Sequence, residues 1–240
     1  MTVNASGLSH EEVNARVNES AAKSVTVKNA LGHRYIGCGS SGKTITVEGI
    51  PGNALGAYLN GSKIIVNGNA QDAIGDTMNG GEIIVHGSVG DTTGYAMRSG
   101  KILVKGNAGY RVGIHMKEYQ SLFPTIVIGG TVGDFLGEYQ AGGIIIVLGN
   151  GANGECPVGN FCAAGMHGGK MLIRSETPPK RLAQQISCKE ADESDKKEIR
   201  KYIDEFCKNF GGSAEDYLKD RFWLLTPNSA SPYRRLYTEN

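Results

Sequence analysis

Residues Gly61–Gly68, Gly80–Gly87 and Ser99–Gly106 read GSKIIVNG, GGEIIVHG and SGKILVKG. Gly49, Gly68, Gly87 and Gly106 stand 19 residues apart. A fixed period with one short apolar run per unit is the signature of stacked structural repeats. Three residues of Ile, Leu and Val between glycines are too few for a helix and suit a strand.

The register extends in both directions from a second glycine. With Gly56, Gly75 and Gly94 as position zero, the equivalents are Gly37, Gly113, Gly137 and Ala163. Apolar triplets follow eight to ten residues later, from Ile45-Thr46-Val47 through Ile64-Ile65-Val66 to Met171-Leu172-Ile173. Seven coils result. Two are stretched: Gly113 to Gly137 is 24 residues and Gly137 to Ala163 is 26. The extra residues fall within Lys117–Phe123 and around Asn150–Pro157, as insertions on the outside of a coil do.

Strand alternation sends positions eight and ten inward, and seven, nine and eleven outward. Leu59, Met78, Met97, Met116 and Met166 recur at position three as a second inward row. Each such buried side chain contributes roughly 1.5–3 kcal/mol, so stacking makes the core. Position nine departs from the polar exterior. It reads Thr46, Ile65, Ile84, Leu103, Val127, Ile146 and Leu172, an apolar ladder up an outer wall. A stripe of that length has to be covered, by the chain's own C-terminal helix or by a partner protein.

Composition sets bounds. The chain has 240 residues, 35 of them glycine, and a formal net charge of +1. With no basic stripe, nucleic acid is not a partner. No apolar run approaches membrane-spanning length. Five cysteines without paired spacing suit a reduced, cytoplasmic protein. The spacing predicts three parts: a helical cap over 1–24, the repeats over 25–177, and a helical extension over 178–240. Ser9 and Glu12 form a capping box, and Val25–Lys28 reads as the first strand. In the extension, Asp192–Asn209 is an amphipathic helix with Ile199, Tyr202, Ile203, Phe206 and Phe210 on one face. Gly211-Gly212 stops it, and Ser213 starts a short second helix. Phe222–Leu225 is a hydrophobic clamp. The tail, with Tyr233, Arg234, Arg235 and Tyr237, folds back or docks onto a partner.

Several motifs invite over-reading. Gly37–Gly42 and Gly149–Gly154 both match G-x-G-x-x-G, but neither precedes a helix whose N-terminus could take a pyrophosphate. Cys156, Cys162 and His167 have C-x5-C-x4-H spacing and are the one candidate metal set. The repeat already accounts for Cys162, in an apolar slot, and for His167, in a variable outward slot, so no metal is expected. Asp76, Asp91 and Asp134 stand where turn chemistry favours aspartate. Lys117, Glu118 and Tyr119 enter the first insertion, and Glu138-Tyr139 lies one coil on. This is the densest polar cluster of the repeats, readable as a brace between coils or as a docking surface.

The G-xxx-G pattern, with Gly130–Gly143 (GTVGDFLGEYQAGG) and Gly165–Gly169 (GMHGG), resembles the GXGXG β-helix domain of the glutamate synthase large subunit. The same domain occurs as a separate chain in split synthases and as one of the subunits of formylmethanofuran dehydrogenase. The resemblance covers about residues 25–175. It implies a mainly β fold, a single-stranded right-handed β-helix. It implies a structural subunit that braces a glutamine amidotransferase chain against an FMN and iron–sulfur chain, with no cofactor of its own. No catalytic residue carries over: the chain begins Met-Thr, without an N-terminal Cys nucleophile, and has no flavin phosphate loop. The EYQAGG stretch and the helical extension are closer to the glutamate synthase branch than to the formylmethanofuran one. The interface candidates are Ile65, Ile84, Leu103, Val127, Ile146 and Leu172, with Lys117, Glu118, Tyr119, Glu138 and Tyr139. The oligomeric state stays open, a homo-oligomer included. A stand-alone β-helix enzyme acting on polysaccharide would need clustered carboxylates on an exposed strand face, where this chain has the apolar ladder.

Overall fold

The computed structural model describes residues 1–228; the tail from Pro232 to Asn240 lies outside them. Strand β1 (Thr2–Asn4) and helix α1 (His10–Glu19) open the chain. Eight strands follow: β2 (Ser24–Leu31), β3 (Thr44–Ile50), β4 (Asn60–Val66), β5 (Gly80–Val85), β6 (Gly100–Val104), β7 (Pro124–Ile128), β8 (Ala141–Val147) and β9 (Gly168–Arg174). Then come β10 (Ile186–Glu190), α2 (Glu193–Phe210), α3 (Ala214–Leu218) and β11 (Phe222–Pro227). All eleven strands form one open sheet in the order β1-β2-β3-β4-β5-β6-β7-β8-β9-β11-β10.

From β1 to β9 each strand pairs in parallel with the next in sequence, and from β3 to β9 the register is the one that the period predicts. Ile45 faces Ile64, Ile64 faces Ile83, Ile83 faces Ile102, Ile102 faces Ile126, and Ile126 faces Ile145. Those isoleucines, with Leu59, Met78, Met97, Met116 and Met166 beside them, are fully buried. A one-residue slip would turn this entire row to the other face, so the insertions ahead of β7 and β9 must be absorbed outside the strands. In the first of them, Tyr119 and Leu122 exchange backbone hydrogen bonds at 3.1 and 2.9 Å in a tight loop.

The two ends differ from expectation. The first strand is β1, which pairs with β2 at Val3–Val27, and β2 runs longer than Val25–Lys28. At the other end, the clamp Phe222–Leu225 belongs to β11, which lies antiparallel between β9 and β10. A run of Phe, Trp and Leu ahead of a proline carries no alternation, so only its distant partner makes it a strand.

Helix α1 has the predicted capping box, and Lys43 anchors its other end. The Lys43 ammonium donates to the carbonyls of Val17, Asn18 and Ser20 at 2.8, 2.9 and 2.7 Å. These are carbonyls at and just beyond the helix terminus, where a cation is favoured. Lys43→Met keeps the stem and removes the donors. It is expected to cost about 1.5–3 kcal/mol, read as a lower urea midpoint together with faster amide exchange in α1.

Candidate functional site

In each repeat one turn outside the strands runs from three residues before position zero to two after it. Here the backbone alternates. In the fourth repeat Thr92, Gly94 and Ala96 have φ of 55°, 73° and 48°, left-handed values that strain non-glycine residues. The alternation aims successive N–H groups up and down the stack. Thr92 N donates to Tyr110 O and Ala96 N to Ile114 O in the following repeat, while Gly94 N donates to Ile74 O in the preceding one, all at 2.7–2.8 Å. The bonds satisfy backbone groups that would otherwise be orphaned, which offsets the strain. Positions minus one and zero turn inward. Positions minus three, minus two, plus one and plus two form an outer wall.

That wall is aromatic. Tyr35, Tyr58, Tyr95, Tyr110, Tyr139 and Phe161 are exposed on it. Two columns form because equivalent residues lie one repeat apart, near the ~4.8 Å strand spacing. The Arg111 guanidinium sits 4.7 Å over Phe135, which stacks on Phe161 at 5.1 Å. Tyr95 meets His115 edge-on at 5.9 Å, and His115 stacks on Tyr139 at 5.2 Å. Arg111 Nε donates to Glu138 Oε2 at 3.1 Å and ties the columns together.

Along the wall's border, side chains lace one repeat to the next. Asn53 Oδ1 accepts from Asp72 N at 3.3 Å, Asp72 Oδ1 from Asp91 N at 2.9 Å, and Asp91 Oδ1 from Tyr110 N at 2.8 Å. Asp134 Oδ1 accepts from Asn160 N at 2.7 Å. A second lacing, at another corner, uses neutral groups: Asn69 accepts from Ser88 N, Ser88 from Asn107 N, and Asn107 from Thr131 N. Glycine is required beneath them, since a Cβ at Gly90 would stand 1.9 Å from Asp72 Oδ1. Asp91→Asn keeps the acceptor and is expected to leave the melting temperature unchanged. Asp91→Ala strands the Tyr110 amide and should cost about 1 kcal/mol, read in the same melts.

The sequence-derived candidates separate into groups. Ile84, Leu103, Val127, Ile146 and Leu172 are buried in a cluster with Ile199, Tyr202, Ile203 and Phe206 of α2. The chain's own helix covers the apolar ladder, so these five residues offer no surface to a partner; Ile65, lower down, is half-buried. Glu118 braces two repeats by accepting from Gly143 N at 2.9 Å, and Lys117 and Tyr119 are exposed beside it. Glu138 and Tyr139 belong to the aromatic wall. Cys162 is buried with its Sγ 3.9 Å from Met171 Sδ, and burial pushes its thiol far above the usual range. Cys156 is half-buried, and His167 Nδ1 lies 3.1 Å from Gly165 O. Among the described residues no three His, Cys, Asp or Glu side chains are grouped to hold a metal. Each G-x-G-x-x-G stretch lacks a following helix; Gly42 leads into β3.

A cavity of about 670 Å³ between α2 and the first insertion is lined by Lys101, Phe123, Thr125, Lys201 and Glu205 among others. Lys101 Nζ donates to both Glu205 oxygens at 2.7 and 2.6 Å, so that pair is internally neutralised. The sequence gives no sign of the part played by Gln140. It occupies the methionine row fully buried, and its amide donates to Gly142 O and Gly143 O at 3.0 and 3.2 Å. It holds the glycine corner of the repeat that follows the first insertion.

Comparison with known proteins places this arrangement among relatives. The model of the GXGXG motif family matches residues 8–228. The uncharacterised protein MJ1350 of Methanocaldococcus jannaschii is 41% identical over 251 residues, covering 99% of this chain and 96% of that protein. A chain of the formyltransferase/hydrolase complex FhcABCD of Methylorubrum extorquens, solved with methylofuran, superposes with a TM-score of 0.63 at 21% identity. The match covers 91% of this chain and 85% of that one, and at such identity it speaks for the fold alone. No helix among the described residues is long and apolar enough to cross a membrane.

Proposed function

The chain belongs to the GXGXG motif family, and from that premise we propose that it is an assembly subunit of a split glutamate synthase or a close glutamine-amidotransferase relative. In this reading it braces a glutamine amidotransferase chain against a chain carrying FMN and iron–sulfur centres, supplies no catalytic residue, and works in the cytoplasm. The observation that carries the reading is the aromatic wall. Tyrosine, phenylalanine and arginine are enriched at protein interfaces, and six aromatic side chains stand exposed on one face. Glu138 and Tyr139 are its members from the sequence-derived set; Lys117, Glu118 and Tyr119 border the insertion next to it.

We propose also that the stacked repeats wind as a right-handed single-stranded β-helix over residues 25–177, with 1–24 as cap and 178–240 as extension. Parallel neighbours in sequence order, joined without a crossover helix from β2 to β9, support that winding. Likeness in fold to a chain of the formyltransferase/hydrolase complex favours a second reading, in which the same wall serves the corresponding structural role in a formylmethanofuran dehydrogenase complex.

Purification of the tagged chain at native expression, followed by mass spectrometry, separates the readings. An amidotransferase chain with an N-terminal Cys and a flavin chain support the first. Formyltransferase and hydrolase chains, or a pterin-metal partner, support the second. A lone monomer contradicts both.

A further inference from the structure

The lacing along the aromatic wall contains more charge than its structural role needs. That role is to offer one oxygen to the amide of the next repeat. Asn53 performs it at this border, and Asn69, Ser88 and Asn107 perform it at the other corner. Asp72, Asp91 and Asp134 do the same with one oxygen and keep a negative charge besides. Asp76, in the repeat between those of Tyr58 and Tyr95, adds a fourth, its Oδ1 taken by the Thr77 hydroxyl at 2.7 Å. Among the described residues none of the four meets a lysine or arginine at ion-pair distance. Glu138, by contrast, is neutralised by Arg111. Arg34, at the first repeat, is the wall's other cation.

We infer that the wall docks a partner-protein segment presenting arginine or lysine side chains. This rests on the reading of the wall as the docking surface and specifies what docks there. Exposed aromatic side chains attract cations, and carboxylates beside them that meet no lysine or arginine among the described residues steer the cations in. A second copy of the chain is the wrong occupant, because two such walls would face each other with like charge, which disfavours the pairing.

The test compares three tagged chains expressed from the native locus: the parent, an Asp72→Asn/Asp76→Asn/Asp91→Asn/Asp134→Asn variant, and a Tyr58→Ala/Tyr139→Ala variant. Each asparagine keeps the acceptor oxygen, so the melting temperature of the fourfold variant should match the parent. Its recovery of partner chains should fall about tenfold or more at low salt, and the salt dependence of recovery should flatten. A photoreactive phenylalanine at position 58 should cross-link to a partner segment whose sequence contains arginine or lysine. Full recovery by the fourfold variant with loss in the tyrosine variant would overturn the cation assignment and leave the docking surface standing. So would a cross-link to an acidic segment or to a second copy of the chain. Full recovery by both variants, with no cross-link at position 58, would overturn the docking surface itself.

Discussion

Gly75→Ala is expected to cost the fold about 2–4 kcal/mol. Two contributions add. Gly75 has φ of +68°, where a side chain strains the backbone by roughly 1 kcal/mol or more. A Cβ there would also stand 2.6 Å from Ile102 Cδ1 and 3.3 Å from Ile83 Cδ1. Both isoleucines are fully buried in the sheet, and forcing them aside costs about 1–3 kcal/mol. The same contact recurs up the stack, with Ile83 over Gly56 and Ile126 over Gly94. The seventh repeat supplies an internal control. Ala163 takes this slot at φ of 61° and is fully buried, and after it the sheet continues with antiparallel β11 instead of a further repeat. Ala163→Gly should therefore change stability by less than about 1 kcal/mol. Urea midpoints at constant m-value measure both. A Gly75→Ala protein as stable as the parent would show that the slot tolerates a side chain and that the isoleucines above it yield freely.

Phe206→Ala should cost about 3–5 kcal/mol and uncover the apolar ladder. The ring is 2% exposed. It stands against the backbone of the turn after β7, with its Cζ 2.7 Å from where a Cβ of Gly129 would be. It also meets Phe210 edge-on at 4.7 Å and Tyr217 at 6.2 Å. Side-chain methyl NMR shifts should move at Ile84, Leu103 and Val127 in the variant and stay in place at Ile64 and Ile83, whose side chains face the inner core. A loss under about 1 kcal/mol, well below the cost of emptying a packed aromatic site, would mean that α2 rests on the ladder without holding it.

Much of the fold is legible in the sequence because the period is rigid. One register, set by Gly56 and its equivalents, predicts the pairing of Ile45 with Ile64 and onward to Met171, and locates both insertions. The helix after Asp192 is legible from Ile199, Tyr202, Ile203 and Phe206, and from its capping residue, Asp192. What covers the position-nine ladder is not, because a helix and a partner present the same apolar face to it. Strands β10 and β11 escape a sequence reading since β11 pairs with a strand some fifty residues back in the chain, and the residues of both carry no alternation. The aromatic wall is hidden for a different reason. Tyr35, Tyr58, Phe135, Tyr139 and Phe161 all hold positive φ, a conformation that their residue types disfavour, so no propensity points to it. Only their shared offset of two residues from position zero exposes the pattern.

The most direct measurement is hydroxyl-radical footprinting of the complex purified with the chain, against the chain alone. Strong protection of Tyr58, Tyr95, Tyr139 and Phe161 is expected in the complex, with Lys197 and Lys208 on the outer face of α2 labelled equally by a lysine reagent in both samples. Tyrosines labelled equally in both samples, with protection confined to α2, would contradict the assignment of the aromatic wall as the docking surface.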